Sequence, residues 1–246
     1  MLLATDLDGT FLAGDIASRE QLYHLISVHS NLQVAWITGR SREDTKDLLA
    51  DPTLPPPTYL ICDVGATVFG VSDMQPIEPL QSQIDASWPG ESVVDHALKR
   101  FSSLTRQKES QERRCSYYCS PEQFRAIRGD FECVVNMLGC EFLYSADRYL
   151  DVLPKNTCKG STLSALVNML GIAPKRVLVA GNTLNDLSMY NRGYPGVCVG
   201  ASEQALLEET ASMHLVLHAN APGCGGILEA IEHFNWFNWN FDFAHE

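Results

Sequence analysis

Leu2-Leu3-Ala4-Thr5-Asp6-Leu7-Asp8-Gly9-Thr10 decides how this chain is read, because a short apolar run delivers two carboxylates into a polar turn. In an extended segment residues two apart point to the same side, so Asp6 and Asp8 face one site. Two acids at the carboxyl end of a buried strand stand where open α/β sheets bind ligands. The competing reading is a hairpin, since Asp-Gly between apolar runs is a strong hairpin signal. The residues that follow weigh against it. Ser18–Val28 carries Leu22, Leu25 and Ile26 at helical spacing, and Leu32–Ile37 is a second apolar run ending at Thr38-Gly39. Ser41 to Asp44 has the form of a capping box and leads into Asp47. Asp51–Pro57 is a proline-rich connection, and Tyr59–Cys62 is a third apolar run ending at Asp63-Val64-Gly65. Strand and helix alternate, which predicts a parallel sheet flanked by helices.

From about Pro79 to Leu153 the rhythm changes. Val93–Leu104 and Pro121–Leu138 read as helices, and Ser116–Cys119, Glu141–Tyr144 and Tyr149–Leu153 as short strands. This block, 80–154, reads as an α+β insert within a core built from 1–79 and 155–246. Ser161–Leu170 restores the earlier pattern as a helix closed by Gly171 and Pro174. Arg176–Ala180 and Val197–Val199 then read as strands, and Leu187–Asn191 and Ala201–Thr210 as helices. The expected fold class is α/β, a doubly wound, mostly parallel sheet with an inserted α+β domain.

Composition narrows the function. A chain of 246 residues with 30 acidic and 18 basic side chains carries a net charge of −12. That field repels nucleic-acid phosphates and anionic lipid, and Arg113-Arg114 alone points the other way. No apolar run approaches the ~20 residues of a membrane helix, and no basic leader precedes Asp6. The eight cysteines are sparse, and several lie in apolar runs, as buried hydrophobes do. Cys115 and Cys119 lack the second pair that a zinc site needs. A reducing, cytoplasmic compartment is expected, with no nucleic-acid or membrane partner.

Three further motifs sit at predicted strand ends or helix starts. Thr38-Gly39-Arg40-Ser41 offers a hydroxyl, a flexible amide and a helix start, which together make either an anion seat or a plain N-cap. Lys159 lies at the start of the Ser161–Leu170 helix, where a cation opposes the macrodipole by ~0.3–1 kcal/mol unless an anion binds there. Otherwise it is a solvated surface lysine. Gly181-Asn182-Thr183-Leu184-Asn185-Asp186 follows a strand and reads as a switch-point loop or as an Asx-turn with a helix cap.

In this order the motifs resemble those of the haloacid dehalogenase superfamily of phosphotransferases: Asp-x-Asp-Gly-Thr, a Thr or Ser after the second strand, a lysine, and a Gly-Asp-x-x-Asn-Asp loop. An insert between the second and third motifs is the mark of the C2-type cap. Leu150-Asp151-Val152-Leu153-Pro154 before Lys159, Ser116-Tyr117-Tyr118, and Gly225 to Phe234 resemble the sucrose-phosphate phosphatase subfamily.

The resemblance implies that Asp6 takes the phosphoryl group as an aspartyl-phosphate, while Asp8 acts as general acid and then base. It implies that Thr38, Gly39, Lys159 and Asn185 hold the phosphoryl oxygens, and that Asp6, the Asp8 carbonyl, residue 182 and Asp186 bind magnesium (Mg2+). Position 182 departs from the pattern, with Asn182 where aspartate is usual; weaker metal binding is expected, and Asp63 is a candidate to restore the charge. Arg40, Tyr118, Arg148 and Asp151 are candidate substrate contacts, set against solvated or strand-pairing roles. The tail from His233 to Phe243 is strongly aromatic and is expected to pack on the core or to meet a partner. The resemblance favours a phosphatase of sucrose 6-phosphate. Its alternatives are phosphatases of mannosylfructose-, glucosylglycerol- or mannosylglycerate-type phosphates, and a catalytically impaired partner of a sugar-phosphate synthase.

Overall fold

The computed structural model describes residues 1–108 and 112–238. In chain order its strands are β1 (Leu2–Thr5), β2 (Gln33–Ile37), β3 (Tyr59–Cys62), β4 (Thr67–Gly70), β5 (Gln75–Pro76), β6 (Thr105–Arg106), β7 (Cys115–Tyr118), β8 (Cys140–Ser145), β9 (Tyr149–Pro154), β10 (Val177–Gly181), β11 (Gly196–Gly200) and β12 (Val216–Pro222). The helices are α1 (Ile16–Val28), α2 (Lys46–Ala50), α3 (Leu80–Ala86), α4 (Glu91–Leu98), α5 (Pro121–Met137), α6 (Lys159–Met169), α7 (Leu187–Tyr190), α8 (Gln204–Thr210) and α9 (Cys224–His233). The large sheet has the order β12-β11-β10-β1-β2-β3-β4-β5, and a separate four-stranded sheet has the order β6-β7-β9-β8.

Strand β1 lies in the middle of the large sheet and pairs in parallel with both β10 and β2. Its residues alternate between layers: Leu2 and Ala4 join one apolar cluster with Leu163 and Val167, while Leu3 joins the other with Leu22 and Ile227. A strand buried on both faces is what helices on either side of a parallel sheet require. The hairpin reading of Asp8-Gly9 therefore fails. Leu7–Phe11 is instead a wide helical turn, in which Gly9 takes a φ of 81° that a side chain would resist. The sheet continues beyond β3 with two antiparallel strands, β4 and β5, too short for the sequence to announce.

Caps fix the helices much as their sequences suggest. Asp15 accepts from the Ser18 amide at 2.8 Å at the start of α1, and Ser120 with Gln123 forms a capping box ahead of Pro121 in α5. Helix α6 begins two residues before Ser161, so Lys159 is its first residue. The helix expected over Val93–Leu104 ends at Leu98, and Thr105–Arg106 joins the small sheet as an edge strand.

The small antiparallel sheet packs on α4 and α5 around Phe124, Phe131, Val135 and Val152. Residues 80–86, counted with this insert from the sequence, form α3 and cover the large sheet instead. Leu80 and Ile84 join the cluster of Leu2, and the Gln81 carboxamide accepts from the Val68 amide at 2.8 Å. The two cores thus divide after Ala86. Of the aromatic tail, Trp236 is buried against the β1 layer and Phe237 stacks on His29 at 4.4 Å. Trp239, Phe241 and Phe243 lie outside the described residues. Among the described residues no helix is long and apolar enough to cross a membrane.

Candidate active site

The carboxyl ends of β1, β2 and β10 meet the amino end of α6 at one rim of the large sheet. Lys159 is fully buried there, and its Nζ donates to Asp6 Oδ1 and to Asp186 Oδ1, each at 2.7 Å. The surface-lysine reading is overturned. Burial by itself would strip the proton from Lys159, but the Asp186 and Asp6 carboxylates outweigh it and hold the ammonium charged. Burial raises the pKa of Asp6, with Lys159 opposing and the Asp186 charge adding. Asp186 is fixed in turn, because its Oδ2 accepts from the Asn182 and Thr183 amides at 2.9 and 3.1 Å. A Cβ on Gly181 would fall 2.4 Å from Asp186 Cγ, so only glycine leaves room for this arrangement.

Asn182 packs against the β1 turn, its Oδ1 accepting from Thr10 Oγ1 at 3.1 Å. A Cβ on Gly9 would lie 2.2 Å from its Nδ2. The Asn185 Oδ1 is buried without a partner among the described residues. Thr38 is buried at the end of β2, where its hydroxyl accepts from the Arg40 amide at 3.1 Å. Gly39 lines the cleft beside it. Arg40 grips Asp8 from both nitrogens, Nε to Oδ2 at 2.8 Å and Nη2 to Oδ1 at 2.6 Å. That is the bidentate fork a guanidinium makes with a carboxylate.

A cleft of about 600 Å3 separates this rim from the small sheet. Asp6, Asp8, Arg40 and Asn185 line it on one side, and Tyr118, Tyr149, Asp151 and Arg114 on the other. Arg148 lies outside the lining. Its guanidinium sits over the rings of Tyr118 and Tyr149, at 4.7 and 5.6 Å. Asp151 is buried and accepts from the Ser116 hydroxyl.

Asp63 does not restore charge at residue 182, for its partners lie elsewhere. Thr67 Oγ1 donates to its Oδ2 at 2.9 Å, and Arg114 Nε stands 3.5 Å from its Oδ1. Burial pushes the Asp63 carboxyl up to about 6, against the pull of Arg114. The Arg113-Arg114 pair turns inward too, since Arg113 binds Asp85 and reaches Thr67 Oγ1 at 3.4 Å. Sequence reasoning passed over Arg114 as a cleft residue. A basic pair ahead of a strand carries no local sign of where it points.

The donors at the rim are all hard oxygens: the Asp6 and Asp186 carboxylates, the Asp8 carbonyl and the Asn182 amide. Among the described residues no three of His, Cys, Asp and Glu form a ready-made metal cage. Such a set suits magnesium, which keeps several of its waters. The buried, unpartnered Asn185 Oδ1 is a further hard oxygen on the same 181–186 loop.

A doubly wound sheet with strand-end carboxylates tied to a buried lysine, under an inserted α+β unit, defines a phosphatase fold of the haloacid dehalogenase superfamily. The chain belongs within it to the sucrose-6F-phosphate phosphohydrolase family, whose model matches residues 1–235. It is 54% identical over 236 residues to the glucosylglycerol-phosphate synthase of Pseudomonas anguilliseptica, covering 96% of this chain and 31% of that protein. It therefore spans under a third of that relative's length. It is 27% identical over 241 residues to the mannosylfructose-phosphate phosphatase of Agrobacterium fabrum, covering 95% of this chain and 96% of that protein. In fold it is similar to the Synechocystis sucrose-phosphatase solved with sucrose and phosphate, with a TM-score of 0.85 and 24% identity over 96% of this chain and 98% of that one.

Proposed function

We propose that this chain is a magnesium-dependent phosphatase of a glycosyl phosphate, with glucosylglycerol phosphate its substrate and sucrose 6-phosphate the second reading. The observation that carries the phosphatase reading is the buried Lys159 bridging Asp6 and Asp186 at the floor of the cleft. A carboxylate attacking a phosphate dianion needs its charge offset, and a fixed ammonium 2.7 Å away does so without reorganisation. Asp6 attacks phosphorus and the bond from phosphorus to the sugar oxygen breaks, leaving an aspartyl-phosphate. Asp8 gives its proton to the departing oxygen and takes one from the water that then hydrolyses the intermediate. Arg40 orients the Asp8 side chain at the mouth of the site through its two hydrogen bonds. Thr38, the Gly39 amide, Lys159 and Asn185 hold the phosphoryl oxygens. Asp6, the Asp8 carbonyl, Asn182 and Asp186 would hold magnesium, which when bound supplies further positive charge beside the phosphoryl group.

The substrate reading rests on the relatives. The 54% identity to a synthase of glucosylglycerol phosphate exceeds the 27% shared with a tobacco sucrose-phosphatase. A phosphatase-like segment within a much longer synthase supports consecutive steps, the synthase making the phosphate ester and this segment hydrolysing it. On the same ground we propose association with a synthase. A reducing cytoplasm suits eight free thiols, six of them buried.

The test is phosphate release from glucosylglycerol phosphate, sucrose 6-phosphate and mannosylfructose phosphate, with and without magnesium, by the wild type and Asp6→Asn. Release should be fastest from the first, need the cation, and vanish in the variant. Faster release from sucrose 6-phosphate would return the choice to that substrate. Release by a clean Asp6→Asn preparation would refute the mechanism. A folded wild type that releases nothing would favour the binding-partner reading, which Asn182 alone supports.

A further inference from the structure

Glu203 is a carboxylate that the mechanism does not use, yet it grips the loop on which the mechanism depends. Its Oε2 accepts from the Leu184 amide, 19 residues earlier, at 2.8 Å. Its own amide donates to the Asn182 carbonyl, also at 2.8 Å. Two bonds from one residue thus close on the stretch from Asn182 to Leu184, with Asn185 and Asp186 directly after it. Glu203 does not itself line the cleft.

Two features of the chain around it set this contact apart from ordinary helix capping. Glu203 occupies the N-cap of α8, but its side chain makes no cap bond to that helix. Shorter polar side chains serve that position because they bond the helix's own amides, whereas this one reaches across to another turn. The backbone is also bent to bring it there. Ala201, between β11 and α8, holds a φ of 65°, a left-handed conformation that its Cβ disfavours. Such strain persists where the surrounding structure over-determines it, and it gathers near working sites. Ser202 secures the bend, its hydroxyl donating to the Val199 carbonyl at 2.6 Å, and Leu206 anchors α8 in the core.

The 181–186 loop has a place for such a support. Asp186 Oδ2 accepts from the Asn182 and Thr183 amides, and the Leu184 amide, next in line, is met by Glu203. Without that acceptor the peptide between Thr183 and Leu184 is free to rotate, and the side chains on either side of it turn with it. We propose that Glu203 is a positioning residue, holding the loop so that Asn182 and Asp186 face magnesium and Asn185 faces the phosphoryl group. This rests on the proposed phosphatase function and deepens it.

Two substitutions separate this role from a structural one. Glu203→Gln loses the charge but keeps the reach and an oxygen acceptor. Glu203→Asp keeps the charge and is a better cap for α8, but is one methylene too short for Leu184. On p-nitrophenyl phosphate, Glu203→Asp should lower kcat and raise the magnesium concentration for half-maximal rate, each at least tenfold, with KM for the ester within threefold of wild type. Glu203→Gln should stay within threefold of wild type in all three. Melting temperature followed across a magnesium titration reads the metal without turnover. Metal-free Glu203→Asp should melt no lower than wild type, and its apparent dissociation constant for magnesium should be at least tenfold weaker, with Glu203→Gln restoring it. Magnesium bound by Glu203→Asp as tightly as by wild type, equal losses in the two variants, or a wild-type melting temperature that ignores magnesium would overturn the proposal. Failure of the underlying function shows separately, as a wild type that binds magnesium and hydrolyses no phosphate ester; the melting titration still decides on Glu203 in that event.

Discussion

Replacing Lys159 with methionine keeps an unbranched side chain of similar length and removes one buried charge. Two carboxylates then lose the ammonium they share, one fully buried and the other nearly so. Breaking a buried ion pair by deleting one partner costs about 3–5 kcal/mol, and two partners lost at once place this case at about 5. The penalty depends on pH. Burial already raises Asp6 while Lys159 opposes it; without the lysine's pull Asp6 rises further above the unfolded carboxylate range near 4. The folded variant then binds a proton that the unfolded chain has lost, so its stability falls as pH rises from about 5 to 8. Wild-type Asp6, raised to about 7, already binds that proton up to this pH, so at about 1.4 kcal/mol per pH unit the loss should be about 1–1.5 kcal/mol larger at pH 8 than at pH 5. Urea unfolding of wild type and Lys159→Met at both pH values, in chelator so that no divalent ion replaces the ammonium, measures it. For a chain of this size the melting temperature should drop by about 10–20 °C at pH 8. A loss below about 1 kcal/mol at pH 8, or one that ignores pH, would show that Lys159 does not bridge two buried carboxylates.

Three further outcomes follow from neighbouring contacts. Gly181→Ala sets a methyl 2.4 Å from Asp186 Cγ and should displace it, lowering kcat by about 100-fold while the fold persists; near-normal turnover would show slack at that contact. Asn182→Asp adds a carboxylate among the oxygen donors and should lower the magnesium concentration for half-maximal activity by about tenfold, read from a metal titration of the rate. Asp63 is raised to about 6 by burial, so the folded wild type binds a proton that the unfolded chain releases near 4. Wild-type stability should therefore decline through this group by up to about 3 kcal/mol between pH 4 and 6, and Asp63→Asn should flatten that part of the urea-unfolding profile.

Much of the site was legible in the sequence because each piece is local. Asp6 and Asp8 follow an apolar strand, Thr38 and Gly39 another, and the 181–186 loop a third. Strand ends are set by runs of four or five residues. The strands β4 and β5 escaped because four-residue and two-residue segments carry too little periodicity to announce themselves. Residues 80–86 were counted with the insert and no helix was expected there; they form α3 on the large sheet because their apolar partners, Leu2 and Val68 among them, are brought near only by folding. Arg40 was expected at the substrate, and it stands on Asp8, 32 residues away in sequence, because the ends of β1 and β2 are neighbours.

The chain's periodicity and punctuation determined the alternation of strands and helices, the inserted block and the order of the strand-end motifs, since hydrophobic spacing and capping act within a few residues. Tertiary structure alone decided that Lys159 is buried and paired with partners 153 and 27 residues away, that Asp63 serves Arg114, and that Arg114 faces the cleft. Charge pairing in a low-dielectric interior depends on distance in space, and no window of sequence carries that distance.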